Sequence, residues 1–298
     1  PQFYSGKPFP GGASYLGGSQ DNGVPYGTDT GGKEGWKDIK GGDGGEVHID
    51  PRNPQVIFTA NTRLSIQKNT AWPPTTNDWA MKINGITEES TNFGFIAPFI
   101  MDYNKPDILY TGGKNLWRTT DQGDNWVQAA NTETQTSITA LAVSADSNTV
   151  AFGTQGGVAY VVNNAQTSTA STSPSASAQV ANGYISSVTF DPTNANTLYA
   201  TVSTFGQKHL WKSTNQGQSW TSLDGSGGSA LPDVPAHDLF IDPGNTQRLF
   251  VGTDLGIYVS TDGGGTWAHE AGQVANVVTE RLEYDSQSGN LFAFTHGR

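Results

Sequence analysis

Two acids stand apart by their surroundings: Asp43, with two glycines on each side in GGDGG, and Asp21, beside an Asn-Gly turn signal in GGSQDNG. Two facing carboxyl groups can cleave a glycosidic bond, ~5 Å apart when stereochemistry is retained and ~6.5 to 9.5 Å apart when it is inverted. Asp43 with Asp21 or Asp254 is the candidate catalytic set, because the glycines let the backbone around Asp43 approach a ligand closely. The alternative at Asp43 and Asp21 is plainer, an acid that caps its own turn. Candidate ligand-binding residues are Gln20, Arg63, Lys114, Gln155, Lys208, His209 and His296, with Asn61, Asn115 and Phe205 beside them. A second group, Glu88, Glu89, Glu133, Tyr184, Asp233 and His237, falls in the connections between repeats. His48, His209, His237, His269 and His296 show no paired short spacing and the chain has no Cys, so neither a metal site nor a thiolate is expected. No phosphate-binding or dinucleotide fingerprint occurs, and no cofactor is expected.

The elements that must hold these residues are legible in the totals. The 298 residues include 37 Gly and 15 Pro with only 14% charged residues, the mixture of many short strands joined by tight turns. A formal charge of −11 argues against nucleic acid and anionic membranes as partners and suits neutral polymers or cations. No apolar run approaches the ~20 residues of a membrane-spanning helix, and the opening PQFYSGKPFPGG carries no signal segment. A chain that starts at Pro1 without Met is expected to be processed or part of something longer. Low charge with abundant Ser, Thr, Asn and Gly leans toward an extracellular or periplasmic location.

The tryptophans act as a ruler. Trp79, Trp126, Trp220 and Trp267 are separated by 47, 94 and 47 residues, so one repeat has lost its Trp near Ser173, inside AQTSTASTSPSASAQ. Trp36 closes a similar phrase, TDTGGKEGW. In parallel run VHIDPRNPQVIFTA, FIMDYNKPDILYTG, LAVSADSNTVAFGT, VTFDPTNANTLYAT, LFIDPGNTQRLFVG and LEYDSQSGNLFAFT, each a strand, a tight turn at or near an Asp, and a strand. A unit of about 47 residues and four antiparallel strands is the length of a propeller blade, and such a sheet buries its faces only by stacking on neighbours. The expected fold is therefore all-β, one β-propeller domain over 1–298. Its blades are expected at about 46–85, 95–130, 138–181, 185–224 and 236–271, with residues 279–298 and 14–39 sharing a sixth. SYLGGSQ and NLFAFTH both look like second strands, which keeps a seventh, incomplete blade as the alternative.

In three blades the third and fourth strands are joined by one phrase: TTDQGDNW with Thr119, Asp121, Gly123 and Trp126; STNQGQSW with Ser213, Asn215, Gly217 and Trp220; STDGGGTW with Ser260, Asp262, Gly264 and Trp267. Asp or Asn bonds nearby amides, Gly takes a backbone shape other residues resist, and Trp buries its face in the blade. At this point the chain resembles the Asp-box (BNR-repeat) β-propeller family. GGSQDNG, GGDGG and the ending THGR look like secreted bacterial propellers related to xyloglucanase-type glycoside hydrolases and to sortilin-type domains. The resemblance implies that the phrases sit on the periphery, as frame, and that ligands meet the opposite rim. In xyloglucanase-like relatives the acids face one another across a cleft between two propellers, and one propeller lacks the opposite wall. Sialidase activity is not expected, since only six Arg occur and the Arg-Ile-Pro phrase is absent. The expected function is a propeller that binds a glycan or a protein, or a surface component of a larger assembly, with another propeller domain or assembly subunit as a further partner. The alternatives are an inverting endo-acting hydrolase of β-glucan-type polysaccharides and an assembly factor for a membrane complex.

Overall fold

The structure, a computed structural model, describes residues 2–272 and 276–297. Arg298, which ends the THGR phrase, lies outside the described residues. The fold is an all-β propeller of six four-stranded antiparallel blades, each in simple sequential strand order. The blades comprise Phe3–Pro8, Ser14–Ser19, Pro25–Thr28 and Lys37–Asp38; Val47–Ile49, Ile57–Ala60, Ile66–Asn69 and Ala80–Met81; Phe99–Met101, Leu109–Gly112, Leu116–Thr119 and Trp126–Gln128. Then come Ile138–Val143, Thr149–Thr154, Val158–Asn163 and Ala176–Gln179; Ile185–Asp191, Asn194–Val202, Leu210–Ser213 and Thr221–Ser222; Ala236–Ile241, Leu249–Thr253, Gly256–Ser260 and Ala268–His269. Helix is confined to three short 3-10 turns among the described residues.

Thr279–Asp285 and Asn290–Thr295 form a separate two-stranded sheet. This corrects the expectation that residues 279–298 and 14–39 share a blade. The partner of Ser14–Ser19 is Phe3–Pro8, in register from Phe3 opposite Ser19 to Pro8 opposite Tyr15. The reason is steric: Gly6 has no side chain, and a Cβ there would lie 1.9 Å from the Phe294 ring. The last hairpin therefore packs Phe294 against Gly6 of the first inner strand, with Phe3 edge-on to it at 5.7 Å, instead of extending that sheet. The surplus second strand noted in the sequence belongs to this seventh, incomplete sheet.

In four blades the Asp that ends the inner strand explains its hairpin. Its carboxylate accepts the amide two residues on: Arg52 on Asp50 at 2.9 Å, Asn104 on Asp102 at 3.0 Å, Thr193 on Asp191 at 2.9 Å and Gly244 on Asp242 at 2.8 Å. Three second strands, Ile57–Ala60, Leu109–Gly112 and Thr149–Thr154, are buried along their whole length, because both faces are covered. Inner strand Ile138–Val143 alternates buried and half-buried residues.

The chain divides into two compact units: Pro1–Gly113 with Trp117–Val127 and Glu280–Arg298, and Lys114–Leu116 with Gln128–Thr279. In the first, one core joins Phe9, Leu16 and Val24 to Val47 and Ile57, and another joins Phe58 and Ile66 to Phe99 and Trp126. In the second, Ala151 and Val161 pack with Val188 and Leu198, and Tyr199 and Leu210 pack with Leu239 and Trp267. Each core lies between consecutive blades, which is where stacked sheets exclude water.

Candidate functional site

In the first unit the two glycine-rich phrases meet. Asp43 Oδ1 accepts the Asp21 amide at 2.9 Å, and Asp21 adopts φ 57. A Cβ on Gly18 would lie 1.7 Å from the Gly45 carbonyl oxygen, and one on Gly44 would lie 2.0 Å from that of Gly23. The glycines thus let two stretches of this chain's own backbone pack together, with Gly44 N donating to Ser19 O at 3.0 Å. Gln20 joins them through its amide on Gln2 O at 2.9 Å. Tyr4 is the member that sequence reasoning missed: its phenol is pushed up by burial and by Asp43, Asp21 and Glu280. His296 Nε2 lies 3.2 Å from Glu280 Oε1. Arg63, at φ 56 and exposed, is fixed through its amide on Phe95 O at 2.8 Å.

The second unit holds the other candidates. Asp254 Oδ1 meets His237 Nε2 at 2.7 Å, so this acid is engaged by a histidine of the inner strand Ala236–Ile241. The Lys114 carbonyl oxygen accepts the Thr134 amide at 2.8 Å and its hydroxyl at 3.0 Å, whereas Gln155 is exposed on its turn.

Lys208 and His209 belong to a cavity of about 330 Å³ lined also by Gln207, Leu231, Pro232 and Asp233. That volume is near the lower end of ligand sites, ~300 to 1,000 Å³. His209 is buried, and both ring nitrogens face oxygen: Nδ1 is 3.0 Å from the Val202 carbonyl and Nε2 is 3.0 Å from Asp233 Oδ1. Its backbone is fixed too, since the amides of His209 and Leu210 donate to the buried Asp224 carboxylate at 3.0 and 2.8 Å. The Gly206 amide donates to the same Asp233 oxygen at 2.8 Å. That amide first, and His209 second, hold the Asp233 carboxyl below its ordinary range, so it stays a carboxylate. Its side chain is 60% exposed, and the preceding aromatic, Phe205, is 63% exposed. A carboxylate oriented from behind, a lysine, an amide and an open aromatic ring can accept and donate hydrogen bonds to a hydroxylated ligand and stack on its apolar face. The loop chemistry around Phe205, Lys208 and His209 was readable from the sequence; the His209–Asp233 contact, across 24 residues, was not.

The repeated phrase has the same geometry three times. In the last, Ser260 Oγ donates to Asp262 Oδ1 at 2.8 Å and accepts the Gly264 amide at 2.9 Å, while the Thr266 amide and hydroxyl reach Asp262 at 2.9 and 2.8 Å. Thr119, Asp121 and Gly123 repeat this, as do Ser213, Asn215 and Gly217. The indole Nε1 of Trp126 donates to Lys82 O at 2.9 Å and that of Trp267 to Leu223 O at 2.8 Å. The polar side-chain atoms of the turn are satisfied within it, and the indoles of Trp126 and Trp267 by the preceding connection, whereas Trp220 Nε1 is buried without a hydrogen-bond partner among the described residues.

No protein-family model matches the chain, and no curated protein matches it in sequence. Among solved structures it is similar to the GH74 xyloglucanase from Xanthomonas campestris, with a TM-score of 0.71 at 14% identity over 99% of this chain. At that identity the likeness establishes the propeller fold, and the chain spans 50% of the length of that enzyme.

Proposed function

We propose that this chain is an extracytoplasmic propeller that binds a neutral polysaccharide without cleaving it, with Phe205, Lys208, His209 and Asp233 as contacts. The observation that carries this reading is a cavity whose carboxylate is aimed by a buried histidine, with the exposed Phe205 next in the chain to its lining residue Gly206. A sugar ring offers an apolar face to the aromatic and hydroxyls to the charged and amide groups. The solved relative is a xyloglucanase, which makes xyloglucan the first ligand to try. Non-catalytic binding is favoured because one oxygen of Asp43 already holds the Asp21 amide and Asp254 already meets His237.

Affinity electrophoresis against xyloglucan and mixed-linkage β-glucan tests the proposal. The wild-type chain is expected to be retarded, and Phe205→Ala to weaken retention about tenfold, the loss of ~1.4 kcal/mol that one aromatic contact supplies. Equal retention of the two proteins removes the Phe205 site. A second reading, an inverting endo-acting hydrolase using Asp43, is favoured by the fold shared with a xyloglucanase. It requires reducing ends to accumulate with wild type and not with Asp43→Asn, and that result would displace the non-catalytic reading.

A further inference from the structure

In the second blade the connection between Ile66–Asn69 and Ala80–Met81 carries TAWPPTTNDW where other blades carry the Asp phrase. Counted back from the closing Trp79, Trp72 falls where the phrase has Thr119, Ser213 or Ser260. Trp72 is 41% exposed, whereas Trp126 and Trp267 are buried. Single exposed apolar residues are ordinary, but this one is held. Phe9 lies 5.4 Å from it at 65° and Tyr26 5.6 Å from it at 88°, and these two rings meet each other at 5.8 Å and 90°. The loop is braced on both sides of the indole: the Ala71 amide donates to Asn69 Oδ1 at 2.7 Å, and the Thr75 amide and hydroxyl donate to Asp78 Oδ2 at 3.1 and 2.6 Å. An immobilised ring loses little conformational freedom on binding.

The surroundings decide what it would bind. Thr70, Thr75, Thr76 and Asn77 are exposed around it, and the one charge between residues 69 and 79 is Asp78, already engaged by Thr75. Hydroxyl and amide groups of the loop beside an apolar ring match an uncharged polyhydroxylated ring, and Lys37, opposite Tyr26 in the strand register, is a further donor to its hydroxyls. We infer that Trp72, buttressed by Phe9 and Tyr26, is a second saccharide-stacking site, in the first unit and independent of the Phe205 cavity. The inference rests on the glycan-binding reading above and adds a second contact for the same class of neutral ligand.

The test uses the full chain labelled with 5-fluorotryptophan, its Trp72 resonance assigned by Trp72→Phe, and followed by fluorine NMR as xyloglucan oligosaccharide is added. The Trp72 resonance is expected to shift and saturate in wild type and equally in Phe205→Ala. Trp72→Ala is expected to weaken retention in xyloglucan gels about fivefold, and Trp72→Phe, which keeps an aromatic ring, by less. A chain that binds xyloglucan through Phe205 with an unmoved Trp72 resonance and full retention of Trp72→Ala overturns the second site and leaves the first. A chain that neither shifts nor is retained overturns both.

Discussion

Asp262 shows what one residue of the repeated phrase contributes. Its carboxylate collects the Thr266 amide, the Ser260 hydroxyl and the Thr266 hydroxyl, and these bonds lower its pKa to about 2 from the ordinary 3.8. A carboxyl whose folded pKa is depressed stabilises the fold above its unfolded value, and that contribution disappears as pH falls through the folded value. The window is therefore from about pH 4 down to about pH 2. Asn215 shows that an amide can fill the same place, with Nδ2 donating to Ser219 Oγ at 2.9 Å and Oδ1 accepting the Ser219 amide at 3.0 Å. Asp262→Asn should accordingly fold, melt slightly below wild type at pH 6, and match it at pH 2. Melting curves across that range check this, and a gap that does not change with pH would show that the charge contributes nothing. A metal-binding role is poorly served by such a position, because every lone pair that the turn fills is lost to a cation.

At the scale of elements, the inner strands of the first unit are tied by charged and aromatic side chains. Lys7 of the first inner strand pairs with Glu283 of the last hairpin and lies 4.4 Å from the centre of the Tyr103 ring. Burial opposes the Lys7 charge, but Glu283 and Tyr103 outweigh it and hold the ammonium form. Tyr103 Oη meets His48 Nδ1 at 2.7 Å, and His48 Nε2 donates to the Phe99 carbonyl at 2.8 Å. Burial, reinforced by Lys7, pushes His48 down to about 3 from 6.5. Between these values the unfolded chain takes up a proton that the folded one refuses, so stability falls as pH drops below about 6.5, by on the order of a few kcal/mol in all. His48→Gln keeps a donor and an acceptor in the strand and removes the titration. Its denaturation midpoint should vary less than that of wild type between pH 6.5 and 4, and an identical acid slope would assign the loss to other groups. The hairpin pattern of VHIDPRNPQVIFTA places His48 on a strand but does not give its bonds. The same strands show where periodicity stops informing: VHIDPRNPQVIFTA announces a hairpin through its Asp-Pro turn, whereas FYSGKP, with Gly6 and Pro8 inside a strand, does not look like one. Only the Phe294 ring over Gly6 explains why that glycine belongs there.

For the whole molecule, blade number and strand order were legible because most blades repeat one period and one hairpin chemistry, while the site was legible only as a set of loops. Which acid meets which histidine depends on how distant loops approach, as for His237 and Asp254 or His209 and Asp233, and spacing along the chain does not encode that. Net charge is a global property that sequence does give, and it yields a prediction. With 27 acidic against 16 basic residues, the surface repels polyanions at long range, and the screening length is ~10 Å at 0.1 M salt. Binding through stacked rings and hydrogen bonds to an uncharged polymer releases no condensed counterions, so its affinity should vary little with salt. Retention on xyloglucan is therefore expected to stay nearly constant from 50 to 500 mM NaCl, by about twofold or less, while a polyuronate of similar length is not retained at any of these concentrations. Tighter binding of the polyuronate at low salt would mean that the few lysines and arginines, Lys208 foremost, govern recognition instead of the aromatic rings, and the ligand would then be an acidic polysaccharide.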